Sequence, residues 1–272
     1  MKRILIFLYG AGSYAAFVAT FLYAIGFIGN FAVPKSMDSP ASGPWQTAFW
    51  IDLGLLLLFA LQHSVMARPA FKRIITQIVP DSIERSTYVL ASSVALLFLF
   101  WQWMPLGGTV WSVQNEPGNV VLYGGFAFGW LLVLISTFVI NHFDLFGLRQ
   151  VWLHLLRKPE TRVKFATPFL YRIVRHPLYL GWLLAFWSTP LMTVTHLFFA
   201  LVTTAYILVA IQFEERDLMT AHPEYAEYRK QVPMIVPGMP RVVMPVATPQ
   251  SAPPAPVIPA RLGSAARKVT AN

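Results

Sequence analysis

Long uncharged stretches alternate with short polar ones along the chain, and their spacing decides the class of protein. Residues 4–29, 45–66, 86–104 and 119–140 run for 19 to 26 residues each, with Asp52 the one charge among them. At about 1.5 Å per residue, each helix so formed crosses a hydrocarbon layer of about 30 Å. Residues 178–213 hold no Lys, Arg, Asp or Glu, a run too long for one ordinary span. Pro190 divides it, and two arms of about 16 residues, each about 24 Å long, predict a helical hairpin that is short for the membrane. The first stretch follows Lys2 and Arg3 as a signal peptide would. It outruns the roughly 7 to 15 apolar residues of a signal, and no small-residue cleavage site follows, so it reads as a retained helix. The expectation is an all-α, polytopic integral membrane bundle of about five transmembrane segments, closed by the hairpin and a cytoplasmic helical segment. Residues 1–232 should form one membrane-embedded domain. Residues 233–272, with 9 of the 21 prolines, should form a disordered tail.

Composition agrees: 56% of residues are apolar, 12% are charged, and the mean hydropathy is +0.55. The 9 Trp, 10 Tyr and 21 Phe suit aromatic belts at the two interfaces. A net charge of +9 raises the question of nucleic acid, but the positions of the cations answer it. Of the 21 Lys and Arg, only Lys35 falls on the opposite side of the layer from the rest. The charge is therefore a topology signal that puts both termini in the cytoplasm. The expected partner is a lipid bilayer and not nucleic acid. The chain has no cysteine, which excludes disulfides, thiolate catalysis and Cys-ligated metals, and no metal site is expected. Gly10, Gly12 and Ala15 fit a dinucleotide fingerprint formally, but they lie in an apolar helix with no strand before it.

Three polar segments abut the apolar runs on the basic side. In residues 141–150, Asp144 either pairs with Arg149 as an interfacial cap or orients His142 as an acid/base group facing a cavity. In residues 171–181, Pro177 suits the first turn of a helix and leaves His176 just outside it, beside Arg175. The free amides there make an anion site, unless the segment is simply a helix start with topogenic arginines. Gly181, one turn in, permits close approach of a ligand or of another helix. Glu214, Glu215 and Asp217 follow the last apolar run. Carboxylates at a helix end need a cationic partner, or a helix that continues. Tyr225, Tyr228 and Arg229 share a helical face that would line a pocket or lie on the membrane surface. Asp52 and His63 are 11 residues apart, about 16 Å along a helix, too far to act as a dyad. His63 either faces the site or satisfies a core hydrogen bond.

The order Arg175-His176-Pro177-x-Tyr179-x-Gly181, then Glu214-Glu215-x-x-Leu218, then Tyr225-x-x-Tyr228 resembles the isoprenylcysteine carboxyl methyltransferase and phospholipid methyltransferase superfamily. Residues 61–69, 84–88 and 141–150 are similar to its bacterial branch acting on small thiols. The resemblance spans roughly residues 1–237. It implies S-adenosylmethionine as methyl donor, held without a Rossmann domain by Arg175, His176, Pro177, Tyr179, Gly181, Glu214, Glu215, Tyr225, Tyr228 and Arg229. It also implies a small thiol acceptor, methanethiol foremost, with dimethyl sulfide as product. A thiolate is the competent nucleophile, and His142 with Asp144 is the expected base, His63 the second candidate. Alternatives are a lipid amine or prenylcysteine carboxylate as acceptor, a haem- or quinone-binding subunit using His63, His142 and His196, and a transporter.

Overall fold

Local capping and breaking residues set the helix ends within the apolar pattern. The computed structural model describes residues 1–159 and 169–238. In chain order its helices are α1 (Lys2–Gly29), α2 (Trp45–Ala67), α3 (Pro69–Ile75), α4 (Asp81–Gln102), α5 (Glu116–Ile140), α6 (His142–Leu145), α7 (Leu148–Leu155), α8 (Pro177–Trp187), α9 (Val194–Ala221) and α10 (Tyr225–Gln231). Two short strands, β1 (Thr109–Ser112) and β2 (Leu191–Thr193), complete it. Helices α1, α2, α4, α5 and α9 are long and apolar enough to cross a membrane, and the protein is an integral membrane protein. Their large exposed side chains, such as Leu22, Trp50, Leu61, Val121 and Leu201, suit a surface facing lipid.

The last apolar run forms a hairpin with unequal arms. Pro177 opens α8, which has 11 residues and spans about 16 Å. The chain then breaks around Pro190, and β2 pairs antiparallel with β1. Thr193 caps the 28-residue α9 by accepting the His196 N–H at 3.0 Å. Helix α9 does not stop at Phe213 but continues through Glu214, Glu215 and Asp217, so these carboxylates lie within a helix and escape its negative end.

Helix α8 is held by a close crossing with α5. A Cβ on Gly181 would lie 2.8 Å from the Gly129 carbonyl oxygen, and one on Gly129 would lie 2.7 Å from the Gly181 carbonyl oxygen. Two glycines let the backbones meet where no side chain fits. Gly181, a candidate for approach to a ligand, therefore serves helix packing.

Alternation of the helices sorts their ends onto two faces. Of the described Lys and Arg, only Lys35 belongs to the connections on one face. On the other, basic face the backbone N–H groups of Arg175 and His176 donate to the carbonyls of Pro233 and Met234, at 2.9 and 3.1 Å, and Ile235 is buried. The folded part thus runs a few residues past 232. Arg162, Lys164 and the expected disordered tail from residue 239 onward lie outside the described residues.

Candidate active site

The start of α8, the end of α9 and α10 converge on Glu215, whose side chain is 2% exposed. Its Oε1 accepts from Arg175 Nε at 2.8 Å, His176 Nε2 at 3.0 Å and the Tyr225 hydroxyl at 3.3 Å. Arg229 Nε stands 2.9 Å from Oε2 as an ion pair, without an in-line hydrogen bond. Arg175 also donates to the carbonyls of Arg229 and Val232, at 2.9 and 2.6 Å. Both guanidiniums stand against this carboxylate, so the buried charges are paired. Tyr228 donates to the Tyr171 carbonyl at 2.5 Å. Burial holds the Tyr225 phenol well above its ordinary pKa and pushes Tyr228 up to about 12, so both remain protonated donors. Arg175, Glu215, Tyr225, Tyr228 and Arg229 thus act together to lock the C-terminal segment onto the mouth of the hairpin. Arg175 Nε and Nη1, expected to meet the cofactor, are spent instead on Glu215 and the carbonyls of Arg229 and Val232.

One residue earlier the situation reverses. Consecutive helical residues point about 100° apart, and the Glu214 side chain is 45% exposed. Because a carboxylate only accepts, His176 must donate Nε2–H to Glu215, which leaves Nδ1 as an acceptor in the neutral ring. That nitrogen lies 3.9 Å from Glu214 Oε2. Two acceptors thus face one space, an arrangement suited to an ammonium or a pair of hydroxyls. Tyr179, two residues into α8, packs against His176 with ring centroids 5.6 Å apart and reaches Glu214 with its hydroxyl.

A second polar group lies between α2 and α4. His63 Nε2 is 2.8 Å from the Tyr88 hydroxyl, and its Nδ1 is 3.2 Å from Ser92 Oγ. Ser64 hydrogen-bonds the Tyr206 hydroxyl of α9 at 3.0 Å, and Arg68 pairs with Asp217 at 2.9 Å. Tyr179 lies within electrostatic reach of both Tyr206 and Tyr88. Clusters of ionisable residues along the chain do not single out Tyr88, Ser92 or Tyr206. The available signal is hydroxyls inside apolar helices, where each needs a partner: Tyr88 and Ser92 are one turn apart on α4, and Tyr206 interrupts the apolar α9.

His142 is differently placed. It is buried in an aromatic box, stacked on Phe138 with centroids 4.2 Å apart and edge-on to Phe146. Thr137 donates its hydroxyl hydrogen to the Leu134 carbonyl, so His142 Nδ1–H must donate to Thr137 Oγ1 at 2.8 Å. Nε2 then accepts from the Tyr14 hydroxyl at 2.8 Å. Burial lowers the His142 pKa, in keeping with this neutral tautomer. Asp144 is paired with Arg149 at 2.9 Å and does not orient the ring. The expected His142 and Asp144 dyad is therefore not formed, because each member has another partner.

Helices α5, α8 and α9 with the polar cluster between them define a membrane-embedded methyltransferase: the family profile described as Phospholipid methyltransferase matches residues 120–222. Methanethiol S-methyltransferase of Crocosphaera subtropica is 57% identical over 238 residues, covering 87% of this chain and 93% of that protein. The protein of the same name from Mycobacterium tuberculosis is 53% identical over 238 residues, 87% of this chain and 98% of its own length. Nurim of Xenopus laevis is 31% identical over 196 residues, 69% of this chain and 66% of nurim. The chain belongs to the methanethiol S-methyltransferase family. No solved structure matches it.

Proposed function

We propose that the protein transfers the methyl group of S-adenosylmethionine to methanethiol, releasing dimethyl sulfide, at the cytoplasmic face of a bacterial inner membrane. Family membership supports the reaction, and the concentration of Lys and Arg on one face supports the orientation. The observation that carries the reading is the pair of acceptors, Glu214 and His176 Nδ1, left open beside a Glu215 that two arginines pair and bury. The residues present fit the donor: Glu214 and His176 would hold its ammonium or ribose hydroxyls, and the first-turn amides of α8 would hold its carboxylate. Tyr179 and Tyr206 would enclose its cationic centre. When bound, S-adenosylmethionine supplies a methyl group on a positively charged sulfur. The chain's own part is to hold donor and thiol at attack distance in a site poor in water. A small apolar thiol enters and a thioether leaves through the bilayer without crossing a polar barrier.

The test is to incubate purified protein with S-adenosylmethionine labelled on its methyl group and a panel of thiols, lipid amines and prenylcysteines. Label in dimethyl sulfide is the expected result. Label only in an amine or a carboxyl ester refutes the assignment.

A further inference from the structure

We infer that His63, presented by Tyr88 and Ser92, receives the thiol proton, and that the space between it and the hydroxyls of Tyr179 and Tyr206 is the acceptor site for a small apolar thiol. This rests on the thiol-methylating reading above. Other histidines are engaged elsewhere: both nitrogens of His142 by Tyr14 and Thr137, Nε2 of His176 by Glu215 with its Nδ1 facing Glu214, and His196 by Asp38 and the Phe186 carbonyl. His63, like His142, meets only hydroxyls among its described hydrogen-bond partners, but here a single hydroxyl faces both ring nitrogens. Tyr88 has one O–H, yet its oxygen lies 2.8 Å from Nε2 and 3.1 Å from Nδ1, so it serves one nitrogen at a time. With Nδ1–H given to Ser92, the lone pair of Nε2 is held by a hydroxyl that releases it by rotating its hydrogen. An arriving S–H group can take that place, and the turned Tyr88 O–H can then donate to the sulfur. The Phe59 ring, 5.3 Å from the imidazole, supplies an apolar wall that suits a polarisable sulfur. The charged and titratable groups around His63 are Arg68 just past the end of α2, Glu84, Arg85 and Tyr88 on α4, Tyr179 on α8 and Tyr206 on α9. Arg85 stands over the Tyr88 ring, 5.8 Å from its centroid, a cation that favours a developing thiolate nearby.

The step balances. The S–H bond breaks with its electron pair left on sulfur, and the proton forms N–H on Nε2. That pair makes the new S–C bond as the methyl group's old bond returns its electrons to the donor sulfur. The proton then leaves His63 for water.

The experiment compares wild type, His63→Gln and Tyr88→Phe, purified in detergent, for donor affinity by calorimetry and for methanethiol turnover from about pH 6 to about pH 9. His63→Gln should bind the donor within about twofold of wild type and lose about 10²–10⁴-fold in turnover at neutral pH. The deficit should shrink at alkaline pH, where the thiol ionises unaided, and with added imidazole. Tyr88→Phe should lose roughly tenfold, the contribution of one hydrogen bond. Wild-type turnover in His63→Gln, or a deficit indifferent to both pH and imidazole, overturns the assignment. If His63→Gln does not fold, Tyr88→Phe decides, and an unchanged rate and pH profile overturns it. A wild type that binds donor but methylates no thiol overturns the functional reading itself, which separates the two failures.

Discussion

Glu215 on the basic face and Asp38 on the opposite face are both buried, each with 2% of its side chain exposed, and each meets a histidine, at 3.0 and 3.1 Å. Around Asp38 the circuit closes. Its carboxylate accepts from Asn30 Nδ2 at 2.6 Å and from Thr193 Oγ1, and the far nitrogen of His196 ends on the Phe186 carbonyl at 2.9 Å. These hydrogen bonds tie the α1–α2 connection to the start of α9. Around Glu215 the circuit is also dense, but its histidine keeps a nitrogen turned toward Glu214, which is half exposed. A buried carboxylate and histidine therefore do not by themselves mark a site. The mark is hydrogen-bonding capacity left over beside an over-determined frame.

The largest test of this contrast is Glu215→Ala, which strands two guanidiniums in the interior. It should cost about 3–5 kcal/mol, read as a lowered thermal midpoint in detergent, and abolish turnover. Next is Asp38→Asn, expected to cost about 1.5–3 kcal/mol through a weakened hydrogen bond to a charged group. Methyl transfer per folded molecule should stay within about twofold, since the Asp38 circuit only fastens the opposite face. A selective loss of turnover there would falsify the division of labour between the faces. Glu214→Gln should leave stability within about 0.5 kcal/mol yet weaken S-adenosylmethionine binding about tenfold, about 1.4 kcal/mol, by titration calorimetry.

The smallest effect concerns His142, a buried imidazole with no carboxylate partner among the described residues. Its folded-state pKa is lowered by burial, so between that value and the ordinary histidine value near 6.5 the unfolded chain binds more protons. Stability should fall as the pH drops through that window. The loss should vanish in His142→Phe, followed by thermal unfolding at successive pH values.

Much of this architecture is legible in the chain itself. Apolar runs of 19 or more residues have one stable solution in a bilayer, because unpaired backbone groups are too costly there. Pro177 and Pro190 mark the opening and the break of the hairpin because proline constrains its own φ and lacks an N–H. The motif order from Arg175 to Arg229 names the family because it samples three separate segments of the chain.

The division of roles within that motif depends on tertiary contacts. Glu214 and Glu215 are adjacent and chemically alike, and only the packing of α8 and α10 against α9 decides which is buried by arginines and which is left open. The same holds for the two candidate bases. His142 is the stronger candidate by sequence because Asp144 is near, but Arg149 takes Asp144 and Tyr14, 128 positions away, takes His142. Composition and periodicity settle where the chain meets lipid, a property of each segment alone. Which side chains keep an unused lone pair is settled by partners brought from distant helices, and no local pattern encodes that pairing.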